Sequence, residues 1–244
     1  MTNTDRRISL ITGANKGIGF EVARQLGKAG HRILLGARDA SRGNEAVKTL
    51  QAEGIDVRYI AVDLTDPASL TAAAADIEAN EGHLDVLVNN AGISLQGDGL
   101  PGVADLAVVR QIFDTNFFGA VAVTQALLPL LKKSASGRIV NVSSGLGSIT
   151  LNNDPAWEYA AVKLLGYNGS KAAMNMFTVL LAAELKEHGI KVNAANPGYT
   201  ATDLNGHSGP QTIPEGAAET VRLALLPDDG PTGGFSATEG TDPW

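Results

Sequence analysis

The chain has 244 residues, no cysteine, a formal net charge of −7, and 18% charged against 44% hydrophobic residues. That length suits one large domain, and an acidic balance argues against a surface for nucleic acid or anionic membrane, since both recruit Lys and Arg to neutralise phosphate. The missing cysteines exclude disulfides, thiolate nucleophiles and cysteine-ligated metals, and His31, His83, His188 and His207 are too scattered to form a spaced metal motif.

Residues 1–7 lead into only a few apolar residues before Thr12-Gly13, too short a run for a signal peptide. The most apolar stretches, 120–131 and 174–183, are about half of the roughly twenty residues a membrane span needs. The expectation is a soluble, cytoplasmic protein. Short β-branched or leucine-rich runs at 8–11, 32–35, 57–62, 85–88, 138–142 and 191–195 alternate with helix-forming segments at 20–29, 42–53, 67–81, 106–133 and 171–188, and a last edge strand is placed at 234–237. Near-continuous apolar strands between helices predict a doubly wound α/β domain, a central parallel sheet covered by helices on both faces. Asp66-Pro67 supplies an N-cap and a first-turn proline, and Gly30 and Gly189 follow helices. Glycine-rich stretches at 92–102, 145–147 and 198–216 are expected as connections at the carboxyl ends of the strands, where open α/β sheets bind ligands.

The first strand runs into Thr12-Gly-Ala-Asn-Lys-Gly-Ile-Gly19. Gly13, Gly17 and Gly19 suit a tight turn, close approach of a pyrophosphate, and close packing of helix on strand, with the helix N-terminus offering amides to the anion. The GxxxGxG spacing alone would be weak; its position between a strand and a helix strengthens it. Lys16 lies in this loop and Arg38 follows the second strand where an acidic residue would favour a free ribose 2′-hydroxyl, so the pair of cations favours a 2′-phosphate and NADP(H). The alternative leaves both as solvated charges and gives the ribose to Asp39.

With Asp63-Leu64, Asn89-Asn-Ala-Gly92, Asn116, Ser143-Ser144, Tyr167-Asn-Gly-Ser-Lys171 and Pro197-Gly-Tyr-Thr-Ala-Thr202 following in order, the chain resembles the short-chain dehydrogenase/reductase family over nearly its whole length, and within it NADPH-dependent carbonyl reductases. The resemblance implies one Rossmann-type NADP(H)-binding oxidoreductase domain over residues 1–244, with substrate loops at about 94–104, 145–166 and 203–216. It implies a cofactor site of Gly13, Asn15, Lys16, Gly17, Ile18, Gly19, Arg38, Asp63, Leu64, Asn90, Ala91, Gly92, Tyr167, Lys171, Pro197, Gly198, Thr200 and Thr202. It also implies a catalytic set of Asn116, Ser144, Tyr167 and Lys171, in which Lys171 holds the nicotinamide ribose, Ser144 orients the substrate oxygen and Asn116 anchors a relay water.

The chemistry has a physical reading beside the resemblance. A ketone needs an acid at its oxygen as hydride reaches carbon, and a phenol near pKa 10 needs a cation beside it to exchange its proton at neutral pH; Lys171, four positions on, would share a helical face with Tyr167. A second YxxxK stands at Tyr159 and Lys163, and its 15-residue gap from Ser144 resembles the family spacing better than the 23 residues to Tyr167. The residues downstream of each lysine favour Tyr167: Lys171 opens a long helix-forming run, whereas Lys163 is succeeded within three residues by Gly166. Tyr159 then belongs to a short insertion over about 151–166, which in carbonyl-reductase-like members obstructs the family's usual dimer contact and favours a monomer here. The expected function is reduction of an aldehyde or ketone to an alcohol; the alternatives are a non-catalytic NADP(H)-sensing regulator and a sugar-nucleotide epimerase or dehydratase.

Overall fold

The computed structural model describes residues 6–244. Its first half alternates strand and helix: β1 (Ile8–Thr12), α1 (Gly17–Lys28), β2 (Arg32–Ala37), α2 (Ala40–Ala52), β3 (Val57–Ala61), α3 (Pro67–Glu81) and β4 (Val86–Asn89). The second half adds α4 (Leu106–Phe113), a π-helical turn (Asp114–Phe118), α5 (Gly119–Leu131), β5 (Arg138–Val142), α6 (Ile149–Asn153), α7 (Leu165–Glu184), β6 (Lys191–Ala195), α8 (Ile213–Ala224), β7 (Phe235–Ala237) and β8 (Gly240–Thr241). The strands form one eight-stranded sheet in the order β3-β2-β1-β4-β5-β6-β7-β8, parallel except for the final β7–β8 pair. The chain direction across the sheet reverses between β1 and β4, the position where a doubly wound sheet opens a crevice at its carboxyl edge.

Both faces are covered, as the apolar strands require. Adjacent residues point to opposite faces, so Ile11, Leu35 and Val88 pack with Val22, Leu26, Leu50 and Leu223 from α1, α2 and α8. Leu10, Leu34 and Leu87 pack on the other face with Ile77, Leu127 and Leu181 from α3, α5 and α7. Residues 106–131 form a continuous helical run long and apolar enough, by length and composition, to cross a membrane. Its inward side carries Ile112, Asn116, Val123, Leu127 and Leu131, all buried against the rest of the fold.

Two elements differ from the sequence expectation. Helix α7 begins at Leu165 and not at 171, so Tyr167 and Lys171 lie on the same helix. Helix α8 is not among the expected helices, and its first residues fall in the glycine-rich stretch 198–216 expected as a connection, although Thr212 and Glu215 form a reciprocal capping box with Pro214 in the first turn.

At the amino ends of the strands, His31 is 6% exposed and its Nδ1 lies 2.7 Å from Ser9 Oγ. Burial, with Arg7 adding to it, pulls its pKa down to about 4. The unfolded chain therefore binds a proton near pH 6.5 that the folded chain refuses, and stability falls as pH drops from about 6.5 toward 4, by about 3 kcal/mol over the full window. Urea unfolding at pH 7 and pH 4.5 is expected to show this slope, and His31→Gln to flatten it.

Candidate functional site

The site is built on the carboxyl ends of β1, β4 and β5. Thr12, last in β1, accepts hydrogen bonds at Oγ1 from the amides of Asn90 and Ala91, both 3.1 Å, and its carbonyl accepts from Asn90 Nδ2 at 2.9 Å. This clamp sets the gap between β1 and β4. Gly13 has φ +64° and a β-carbon there would lie 2.9 Å from Ala91 Cα, so only glycine fits where the turn meets the β4 loop. The turn then enters α1 with no side chain capping its first amides, whereas Asp39 and Asp66 cap α2 and α3. An uncapped helix start beside a glycine turn is a ready anion site.

Of the expected phosphate cations, Arg38 is exposed at the end of β2, close enough to Asp63 to lower its pKa beside the Thr65 hydrogen bonds that carboxylate accepts. Asp39 caps α2, its Oδ1 accepting the Arg42 amide at 3.0 Å. Arg42, which no sequence motif singles out, sits exposed 3.6 Å from Asp39. Lys16 is not free: its Nζ lies 2.6 Å from Asp203 Oδ2, and His207 Nε2 lies 2.8 Å from the other oxygen. Thr202, beside Asp203, approaches the same turn, with its Cγ2 3.9 Å from where a Gly17 β-carbon would stand. Thr200 is buried and donates to Pro197 O at 2.9 Å, fixing the strand-end turn through Gly198, whose φ is +67°. Leu64 packs against Gly119 on the far side of the β3 end.

Beyond β4 and β5 the polar residues converge. Lys171 is 4% exposed and donates to Val142 O at 2.7 Å. A β-carbon on Gly92 would lie 3.5 Å from Asn116 Oδ1 and 3.6 Å from Lys171 Nζ, so these three share one small volume. The Ser144 hydroxyl lies near enough to the Tyr167 phenol to lower its pKa, and Ser144 Oγ accepts the Leu146 amide at 3.1 Å. Burial pushes the Tyr167 phenol up to about 12, offset in part by Ser144, and pulls Lys171 down to about 8. The expected depression of the phenol by Lys171 is thus not present in this structure: the ammonium lies 5.7 Å from the ring centroid and is turned to the Val142 carbonyl. Asn116, fully buried in the π-helical turn, spends its side-chain amide on Ile93, whose amide and carbonyl it bonds at 2.8 and 3.0 Å, and on Ser170 Oγ at 3.1 Å. Its side chain therefore holds a loop to α7.

Gly147 is required by the same crowding. A β-carbon there would lie 2.7 Å from the Lys171 carbonyl carbon and 2.8 Å from its Cβ, backbone-anchored atoms that cannot swing aside. Gly147→Ala is expected to cost about 1–3 kcal/mol in a urea titration and to displace Lys171.

The competing motif is dispersed. Lys163 donates to Asn152 O at 2.7 Å and ties the insertion down, while the Tyr159 ring stacks edge-on between Trp157 and Tyr199 at 5.5 and 5.6 Å. Trp157 lies over Gly145, 3.2 Å from where its β-carbon would stand, next to Ser144. Tyr199 is a wall of this region that the sequence does not announce, because its neighbourhood, Pro197–Thr202, reads as cofactor turn.

Comparison with known proteins places this arrangement. The short chain dehydrogenase family profile matches residues 7–212. The chain belongs to the short-chain dehydrogenase/reductase family, a family of oxidoreductases. It is 39% identical to short-chain dehydrogenase anuI of Penicillium roqueforti, covering 92% of this chain and 90% of that protein. It is 35% identical to carbonyl reductase [NADPH] 1 of Mus musculus, covering 99% and 100%. Among solved structures, NADPH-bound carbonyl reductase from chicken fatty liver superposes with a TM-score of 0.86 at 30% identity over 98% of this chain and 99% of that one.

Proposed function

We propose that this protein reduces a carbonyl group to an alcohol with NADPH, Tyr167 delivering the proton. The observation that carries the reading is that Lys171 Nζ, which shares a small volume with Asn116 beside Gly92, lies 5.7 Å from the Tyr167 ring centroid, with Ser144 close enough to bear on the phenol, beside a glycine turn and an uncapped helix start. Similarity to the mouse and chicken carbonyl reductases supports the same reaction class. The residues present fit a dinucleotide phosphate: the α1 amides face outward from the Gly13–Gly19 turn, and Arg38 and Lys16 stand at its rim. The bound cofactor would supply the hydride.

The chain's own residues handle the proton. A phenol near pKa 12 stays protonated across the neutral range and enters as an acid. Ser144, close to that phenol, provides a second hydroxyl to fix the substrate oxygen within reach of Tyr167 Oη. As negative charge grows on that oxygen, the proton passes from Oη to it and leaves a phenolate. Lys171, mostly protonated at pH 7 with a pKa about 8, is the cation on the same helix face that stabilises it. Trp157, Tyr159 and Tyr199 wall the mouth beside Gly145 with apolar faces, which favours carbonyls carrying apolar groups.

Oxidation of NADPH and NADH, followed separately against aldehydes, quinones, ketoesters and steroid ketones, tests the proposal. Turnover with NADPH is expected; cofactor binding with no oxidation across the panel would favour the sensing role instead.

A further inference from the structure

We infer that Asp98 is a positioning residue for the proton donor, joining the loop after β4 to the backbone of Tyr167; this rests on the proposed catalytic role of Tyr167. Helix α7 has 20 residues, and Leu164 at its N-cap supplies no side-chain hydrogen bond. The first amides of any helix lack partners within it. Here the earliest amide to reach back inside the helix is that of Asn168, which donates to Leu164 O at 2.9 Å. The three before it all go to Asp98 and its neighbour. Leu165 N donates to Gly99 O at 2.8 Å, Gly166 N to Asp98 Oδ1 at 2.8 Å, and Tyr167 N to Asp98 Oδ2 at 2.8 Å.

Both carboxylate oxygens are used, each in a charge-assisted bond at the positive end of the helix. Oδ1 also accepts the Gly99 amide at 2.9 Å, which fixes the carboxylate plane. Glycine at 166 gives the approach room, since a β-carbon there would lie 2.9 Å from Ile112 Cδ1 and 3.1 Å from Asp98 Oδ2. The other side of Tyr167 is held through the same loop: its carbonyl accepts from Ser170 Oγ at 2.8 Å, Ser170 Oγ accepts from Asn116 Nδ2, and Asn116 brackets Ile93. The amide and the carbonyl of Tyr167 are therefore both tied to residues 93–98, and only its own side-chain torsions separate this frame from the phenol. This loop includes the expected substrate loop at about 94–104, so a ligand that moves it moves the proton donor.

Asp98→Ala and Asp98→Asn test this by single-turnover reduction, NADPH titration and thermal unfolding of the full chain. The Ala variant is expected to transfer hydride on the order of ten- to a hundredfold more slowly, the loss typical of a small misplacement, with NADPH affinity within twofold of wild type. The Asn variant keeps one acceptor oxygen in the same shape and should recover part of the rate; it also serves if the Ala variant does not fold. Unchanged turnover in a folded variant, or loss of NADPH binding in step with turnover, overturns the inference. Should wild type bind NADPH but reduce no carbonyl, the proposed function fails separately, and amide hydrogen exchange decides on Asp98. Faster exchange confined to the first turn of α7 supports its hold on Tyr167, and exchange unchanged or raised along the whole helix refutes it.

Discussion

Tyr167→Phe is expected to lower carbonyl reduction by about two to four orders of magnitude, the usual worth of a positioned general acid, while NADPH affinity stays within twofold. The substitution removes one oxygen from a half-buried side chain and leaves the ring, so neither the α7 backbone nor the glycine turn has reason to move. Tyr159→Phe is the internal control. Tyr159 stacks between Trp157 and Tyr199, and Lys163 of its motif is bonded to Asn152 O, so most activity should survive. Reversed results for the two variants would transfer the proton donor to the insertion. The pH profile carries the same assignment. With the phenol near 12 and Lys171 near 8, the rate of reduction should be level through neutrality and decline above about pH 8 as the ammonium loses its proton. A limb that falls instead between pH 6 and 7 would point to another group.

The parts of this site that were legible in the sequence are those where a residue type is dictated by backbone geometry or by periodicity. Gly13 could be read because β1 leads straight into a turn with positive φ, and the sheet because apolar strands alternate with helices. The helix that carries Tyr167 and Lys171 was legible for a related reason: its 20 residues leave a long uninterrupted trace after Lys171, and Lys163 has none. What the sequence hides is pairing across distance. Asp98 is 68 and 69 residues from the amides it holds, and Asp203 is 187 residues from Lys16, separations that no local pattern encodes. The start of α7 is hidden for that reason: its first turn is closed by Asp98 and Gly99 from another loop, so the usual sign of a helix start is absent from residues 160–165. The influence of Lys171 on the phenol is overstated by i and i+4 spacing, which gives a shared face without saying where a long side chain points. Here it points to Val142 O.

Arg38→Ala is expected to weaken NADPH by roughly ten- to a hundredfold and to leave NADH nearly unchanged, the range for losing charged hydrogen bonds to one phosphate. Lys16→Ala should cost less than Arg38→Ala, because Lys16 begins in an ion pair with Asp203 and must leave it to meet a phosphate. Arg38 has no such partner among the ion pairs of the described residues. Asp203→Asn then has a definite sign. Neutralising the carboxylate that Lys16 and His207 share releases Lys16, so NADPH should bind a few-fold more tightly, with no gain for NADH. Both side chains of the pair are more than half exposed, so salt screens it and the gain should shrink as ionic strength rises. Competition titrations of the two cofactors at low and high salt measure all three variants. If Arg38→Ala weakens NADPH and NADH equally, the cations at the β2 end and in the glycine turn do not read the 2′-phosphate. If Asp203→Asn weakens NADPH, the Lys16 pair is a support for the site and not a competitor for its ligand.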